Sequence, residues 1–175
     1  PPPHPSRRRQ RQMCIRDRPK ADVTIKAVGY QWYWGYEYPD ENIIFDSYMI
    51  DEKDLKENQP RLLAVDNAVY VPVNKVVKVM ITANDVLHAW ALPSFGVKRD
   101  AIPGRINETW FKADRTGTFY GQCSELCGIK HAFMPITVNV VSEDEYNKWL
   151  KEAKVKFAKE EICLLYTSPS PRDTA

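Results

Sequence analysis

The sequence contains a cluster of sulfur and imidazole side chains that could bind a metal ion. Four of them follow a C-x3-C-x3-H-x2-M spacing, and the fifth lies 35 residues before the first cysteine: Cys123, Cys127, His131, Met134 and His88. Two thiolates, two imidazoles and a thioether form a soft donor set that suits copper better than hard cations. A type 1 copper site needs one thiolate fewer. The second thiolate would let both cysteines bridge two metal ions.

Three further roles for the same residues stay open. Cys123 and Cys127 could form a disulfide in an extracytoplasmic compartment, which would leave His131 and Met134 as coincidences. The Cys and His residues could hold structural zinc, although C-x3-C is long for a zinc knuckle and the Met then has no role. His88 could also be a satisfied core histidine, and Met134 plain core. The donor types favour copper over zinc, and zinc over a disulfide.

A second feature is the segment QWYWGYEY at residues 31–38, which has five aromatic side chains in eight residues. A heavily packed strand would account for most of them. An exposed Trp beside acidic residues would instead mark an interface, because large aromatic side chains on a surface tend to lie in contacts with partners. An aromatic group at a docking surface would also help electrons to reach a buried metal.

The elements that must position these residues are mostly strands. Short stretches rich in β-branched and aromatic residues, separated by Gly, Pro, Asn and Asp, predict an all-β sandwich or barrel. The predicted strands lie at residues 22–30, 31–38, 76–83, 86–92, 106–113, 118–122 and 136–141. Residues 51–58 are polar and predict a loop or a short helical turn. A capping box of Ser142 and Glu145 predicts a C-terminal helix.

Charge and composition bound the class of protein. The hydrophobic fraction of 43% and charged fraction of 27% exclude wholesale disorder, and no apolar run approaches the ~18 residues of a spanning helix. The net charge of +2 averages over unlike parts: residues 1–20 hold seven basic residues and one acidic residue, whereas residues 21–160 hold 17 basic and 20 acidic residues. Nine of those acids fall within residues 30–66, and such a surface can steer a cationic partner.

We expect four segments along the chain. Residues 1–20 would be a disordered basic tail, 21–142 the β-domain, 143–161 the C-terminal helix and 162–175 a second disordered tail. The tails include SRRRQRQMCIRDR and CLLYTSPSPRDTA, which resemble translated sequencing-adaptor read-through. We therefore expect no nucleic-acid partner for the basic tail.

Five motifs, in order, make the chain resemble cytochrome c oxidase subunit II over about residues 21–155. They are QWYWGYEY, FDSYM, RLLAVDN, DVLHAWALPSFGVKRDAIPGR and YGQCSELCGIKHAFMP. The copper domain of nitrous oxide reductase shares the last motif in outline, but DAIPGR and QWYW favour the oxidase, and 175 residues leave no room for the reductase's large second domain. The oxidase family normally has an N-terminal transmembrane hairpin, so the resemblance implies a truncated membrane subunit.

The resemblance implies a fold and a copper centre. The fold would be a cupredoxin-like Greek-key β-barrel or sandwich with a C-terminal α-helix. The centre would be the dinuclear mixed-valence site called CuA, with both thiolates bridging and one residue binding through its backbone carbonyl, Glu125. The implied ligands are His88, Cys123, Glu125, Cys127, His131 and Met134.

The resemblance also implies partners. The Glu125 side chain would reach a magnesium ion at the border with subunit I, and electrons from cytochrome c would enter at Trp32 and continue to haem a of subunit I, where oxygen is reduced. Docking would involve four acids, Glu37, Asp46, Asp66 and Asp85. The domain would lie on the outer face of the inner membrane, in the bacterial periplasm or the mitochondrial intermembrane space, with other oxidase subunits beside it.

Overall fold

The computed structural model describes residues 19–57 and 59–157. Within these ranges the chain forms ten strands, one α-helix and three short 3-10 helices. The strands are β1 Val23–Tyr30, β2 Tyr33–Tyr38, β3 Ile43–Ser47, β4 Val69–Pro72, β5 Val76–Ala83, β6 His88–Leu92, β7 Val97–Ala101, β8 Asn107–Lys112, β9 Gly117–Cys123 and β10 Pro135–Val141. The α-helix α1 is Glu143–Lys156, and the 3-10 helices are Glu52–Asp54, Pro93–Phe95 and His131–Phe133.

The strands form two five-stranded sheets that enclose the core. Their orders are β3-β2-β1-β5-β8 and β4-β10-β9-β6-β7. β5 alternates half-buried and buried residues along its whole length, the pattern of a strand with one face on a core. β1 pairs with β5 in parallel and β4 with β10 in parallel, so the chain crosses between the sheets rather than forming only hairpins. The predicted all-β sandwich is confirmed.

Three strands were not predicted from the sequence. β3 and β4 are short, and β4 ends in a proline. β7 has three charged residues between Val97 and Ala101, so its composition does not indicate a strand. β7 forms because it pairs along its whole length with β6, a strand in which every residue is buried. The polar residues 51–57 form the 3-10 turn Glu52–Asp54 within a loop.

The helix begins as predicted. Ser142 Oγ accepts a hydrogen bond from the Glu145 N–H, and the Glu145 carboxylate accepts one from the Ser142 N–H, which completes the capping box. α1 ends at Lys156, with Phe157 as its C-terminal cap. Residues 158–161 of the predicted helix, and most of both predicted tails, lie outside the described residues. No helix in the described ranges is both long and apolar enough to cross a membrane.

Candidate metal centre

Three strand ends bring the predicted metal ligands together. His88 is the first residue of β6 and Cys123 the last residue of β9. β6 and β9 are antiparallel neighbours, with Trp90 opposite Cys123, so the start of one strand meets the end of the other. The chain then loops through Cys127 and the short turn His131–Phe133 before entering β10, which pairs with β9.

The donor atoms lie close together, and three of the residues that carry them, His88, Cys123 and Cys127, are buried. Cys123 Sγ lies 3.9 Å from His88 Nδ1, 3.9 Å from Cys127 Sγ and 3.4 Å from the carbonyl oxygen of Glu125. Cys127 Sγ lies 3.5 Å from His131 Nδ1. The candidate ligand atoms of His88, Cys123 and Cys127 all lie within 4.8 Å of one another. Each sulfur therefore has one imidazole nitrogen beside it.

The remaining predicted side-chain ligand, Met134, is completely buried and immediately precedes β10. Its carbonyl accepts a hydrogen bond of 3.0 Å from the N–H of Cys123, and the N–H of Ser124 donates one of 3.0 Å to the carbonyl of Ala89. We call residues 123–134 the ligand loop, and these bonds tie both of its ends to neighbouring strands. The donors are thus held by sheet hydrogen bonds as well as by local turns.

The two cysteines are free and differ in acidity. Burial raises the pKa of the Cys123 thiol, but several hydrogen bonds, of which the one with His88 contributes most, together lower it to about 7. Burial raises the pKa of the Cys127 thiol, and a negative charge on Cys123 raises it further, to about 12. Cys123 therefore loses its proton more readily than Cys127, because a charge on the first opposes a charge on the second. A bound cation would stabilise the second thiolate, and soft sulfur and imidazole donors suit copper.

The hydrogen bond with Asp85 determines which ring nitrogen of His88 faces the cysteines. Its Nε2 lies 2.8 Å from Asp85 Oδ1, which leaves Nδ1 facing Cys123. The same carboxylate accepts hydrogen bonds from the backbone N–H groups of Gln31 and Val86. Burial raises the pKa of Asp85, but these hydrogen bonds, above all the one with His88, bring it below its usual value. Burial lowers the pKa of His88, but the hydrogen bonds with Cys123 and Asp85 raise it overall.

The turn between β1 and β2 is hydrogen-bonded to the ligand loop. The side chains of Gln31 and Trp32 both donate to the carbonyl of Cys127, over 2.8 Å and 3.2 Å. The next residue, Gly128, has φ +118°, and a Cβ there would lie 3.1 Å from Trp32 Cζ2. A glycine is therefore required on both counts, backbone conformation and space.

The four acids predicted for docking lie in different environments. Glu37 forms an ion pair of 2.9 Å with Lys26, which offsets its charge. Asp46 lies on β3, and partial shielding of its carboxyl group from water raises the pKa of this group. The charge of nearby Asp66 raises this pKa further. Asp85 is the acid bound to His88. The docking role of all four stays a prediction.

The roles of three residues beside the ligands were missed by reasoning from the sequence. Gln31 binds the Cys127 carbonyl, Asp85 orients His88, and Gly29 lies directly against the His88 ring. Asp85 had a usable signal, because a carboxylate three residues before a metal-binding histidine can reach its second nitrogen. Gln31 and Gly29 had none.

The fold and the donor set define a class: β-sandwich domains with a cluster of sulfur and imidazole side chains that could bind a metal ion. The family model for the periplasmic domain of cytochrome c oxidase subunit II matches residues 23–141. The chain belongs to the cytochrome c oxidase subunit II family. Its cluster of His88, Cys123, Cys127 and Met134 is consistent with a CuA-type site.

Individual relatives agree with this family. The crystal structure of the periplasmic domain of cytochrome oxidase subunit II from Bradyrhizobium japonicum is 62% identical, with a TM-score of 0.74 over 79% of this chain and 98% of that one. Cytochrome c oxidase subunit 2 of Cereibacter sphaeroides is 55% identical over 78% of this chain and 51% of its own length. A probable subunit 2 of Rickettsia bellii is 57% identical over 75% and 49%. The chain thus spans about half the length of the curated relatives it matches.

Proposed function

We propose that this chain is the electron-accepting domain of a cytochrome c oxidase, and that it binds a dinuclear copper centre. The observation that carries the proposal is the arrangement of the donors: two cysteine sulfurs 3.9 Å apart, each with an imidazole Nδ1 beside it. The family match adds support, because it covers the strands that hold these donors.

The centre would be held by side chains of His88, Cys123, Cys127, His131 and Met134 and by the backbone carbonyl of Glu125. When bound, the two copper ions would take up and release one electron, with the change in charge shared between them. The chain's contribution is to hold the donors still and to exclude water. Sheet hydrogen bonds at Cys123 and Ser124 hold the loop, and His88 and Met134 are fully buried.

Electrons would enter through Trp32, the first Trp of the aromatic segment. Its indole is half-buried and donates a hydrogen bond to the carbonyl of Cys127, a direct link from the outside of the domain to the ligand loop. The donor would be a cytochrome c, attracted by the acidic residues Glu37, Asp46, Asp66 and Asp85. Electrons would leave for haem a of subunit I, where oxygen is reduced.

The position in the cell follows the family. The matched region is a periplasmic domain. We place it on the outer face of the inner membrane, facing the periplasm in a bacterium or the intermembrane space in a mitochondrion, attached to the membrane in the full-length protein and beside the other oxidase subunits. The Glu125 side chain would bind magnesium at the border with subunit I, separately from the role of its carbonyl.

The decisive experiment is an electron paramagnetic resonance spectrum of the full chain loaded with copper. We expect hyperfine structure from two equivalent copper ions, and its loss in Cys123→Ser because one bridging thiolate is removed. A chain with both Cys14→Ser and Cys163→Ser is the matched control and should keep the signal. Uptake of zinc without copper, or an unchanged mixed-valence spectrum in Cys123→Ser, contradicts the proposal.

The route of the electron is tested separately with Trp32→Phe. This variant should reduce the rate of electron transfer from cytochrome c, measured by stopped-flow absorbance, while copper content stays at the wild-type level. Gln31 still donates to the Cys127 carbonyl, so the ligand loop keeps one of its two hydrogen bonds. Loss of copper in Trp32→Phe would assign the residue a structural role instead.

The magnesium proposal is tested in the assembled oxidase with Glu125→Gln. The backbone carbonyl is unchanged by this substitution, so copper content should stay the same. Binding of manganese, a spectroscopic substitute for magnesium, should weaken because a carboxylate is a better ligand for hard cations than an amide. Unchanged manganese binding would exclude this side chain from the site.

A further inference from the structure

The imidazole of His88 lies directly against a residue without a side chain. An ideal Cβ on Gly29 would lie 2.8 Å from Cδ2, 2.9 Å from Cγ and 3.2 Å from Cβ of His88. Carbon atoms in good contact lie about 3.5–4.0 Å apart, so any larger residue would force the ring to move. Strand glycines often mark this kind of close approach to the backbone. β1 therefore forms one wall of a slot around the ring.

The second wall is the indole of Trp34. Trp34 lies directly opposite Gly29 in the antiparallel pair of β1 and β2, so both positions point to the same face of the sheet. The rings of Trp34 and His88 meet edge to face, with centroids 6.0 Å apart and planes at 60°. On the other side of Gly29 the paired residue of β5 is Ala83, which is also small. One large and two small residues in a row leave space for an imidazole.

The slot and the hydrogen bond of Asp85 constrain the ring in different ways. Asp85 binds Nε2, so Nδ1 is the nitrogen left for a metal. A single hydrogen bond leaves the ring free to tilt about that contact. The backbone of Gly29 and the ring of Trp34 restrict the tilt, and Nδ1 is held 3.9 Å from Cys123 Sγ.

We propose that Gly29 and Trp34 are positioning residues for His88, and that the slot between them sets the plane of the imidazole so that its Nδ1 faces the thiolates. Trp34 acts through the shape of its ring, since its Nε1 is buried and is the sole buried side-chain nitrogen or oxygen in the described residues without a hydrogen-bond partner. The metal readout below rests on the proposed copper centre, whereas the ring-position readout does not.

The first test compares Gly29→Ala with Gly35→Ala in the full chain. Gly35 is a matched control because it is buried in the same sheet, and a Cβ there would lie 3.1 Å from Tyr30 Cε2 and 3.3 Å from Asp46 Oδ1, away from His88. In metal-free protein, the nuclear magnetic resonance signal of the His88 Cδ2–H should shift in Gly29→Ala, and Overhauser effects between the rings of His88 and Trp34 should weaken. Gly35→Ala should leave both unchanged.

The second readout is copper binding. Gly29→Ala should lower the apparent copper affinity about 10- to 100-fold, the usual effect of disturbing a residue that orients a metal ligand. Copper that remains bound should show an altered hyperfine pattern. Equal affinities and equal ring signals in Gly29→Ala and Gly35→Ala would overturn the proposal. If the wild-type chain forms no dinuclear centre, the proposed function fails, and the ring signal still decides the role of the slot.

If Gly29→Ala does not fold, Trp34→Phe tests the same proposal. Phenylalanine keeps an apolar ring and removes the unpartnered N–H, but its shorter edge widens the slot. The His88 Cδ2–H signal should shift, and copper affinity should fall. Wild-type values for both measurements in a folded Trp34→Phe chain would overturn the proposal.

Discussion

The two halves of the aromatic segment 31–38 contact different parts of the molecule. In the first half, Gln31 and Trp32 hold the Cys127 carbonyl and Trp34 lies against His88. In the second half, Tyr36 and Tyr38 make hydrogen bonds to Trp90 and Tyr70 of the other sheet. The residue types are alike, so the difference comes from what each position faces across the sandwich.

The second half makes hydrogen bonds where the two sheets meet. The hydroxyl of Tyr38 donates to the carbonyl of Tyr70 over 2.8 Å and accepts from its N–H over 3.1 Å, which joins β2 to β4. Burial raises the pKa of Tyr38 well above its usual value, so the hydroxyl keeps its proton. Trp149 of α1 packs on both rings, with centroid distances of 5.3 Å and 4.9 Å. Tyr36 accepts a hydrogen bond of 3.3 Å from Trp90.

Tyr38→Phe should have the largest effect on stability. It leaves the N–H and carbonyl of Tyr70 without their partner, and an unpaired buried group costs about 1–3 kcal/mol. Urea unfolding should show this loss, while copper content stays at the wild-type level. Tyr120→Phe, on half-buried β9, is the control and should lie within about 0.5 kcal/mol of wild type. Loss of copper in Tyr38→Phe would contradict the assignment of the second half of the segment to stability alone.

Ser142→Ala should have the next largest effect, because it removes the cap of the helix that carries Trp149. Loss of an N-cap side chain costs about 1 kcal/mol. The change should appear in the urea midpoint and leave copper binding unaltered. Ser94→Ala, at an exposed serine, is the matched control and should be close to neutral. A drop in copper affinity would show that the helix supports the metal centre as well as the sheets.

Gln31→Ala should affect the metal centre more than stability. It removes one of two donors to the Cys127 carbonyl, and a hydrogen bond contributes about 0.5–1.5 kcal/mol net. Apparent copper affinity should therefore fall about two- to tenfold, measured by competition with a chelator. Gln59→Ala, in the distant loop, should leave affinity unchanged. An unfolding free energy reduced as much as in Tyr38→Phe would contradict the comparison.

The smallest effect is a pH dependence at the helix cap. Hydrogen bonds with the hydroxyl and N–H of Ser142 lower the pKa of Glu145 in the folded chain. The stability this adds is present above the unfolded pKa and is lost as the pH falls through the folded value. Glu145→Gln should flatten the fall in unfolding free energy between neutral and acid pH. Glu152→Gln, later in the same helix, should flatten it less; an equal change would point to general charge repulsion.

The predictability of each part follows from how far apart in the chain the interacting residues lie. The capping box and the β-branched composition of β5 are local features of the chain, and from them the helix start and the strand were both predicted. β7 depends on its partner β6, because its own residues are mostly charged, and it was missed. The four candidate side-chain ligands from Cys123 to Met134 could be predicted because a single loop contains them.

The sequence by itself determined the chemistry of this protein: which donors are present, their spacing in one loop, and the family to which they belong. The tertiary structure decided how those donors are held. Gln31 reaches the Cys127 carbonyl across 96 positions of the chain, and its backbone reaches Asp85 across 54. Gly29 meets His88 only because two sheets face each other. Such contacts depend on the packing of strands distant in sequence, and a single sequence carries no local signal of them.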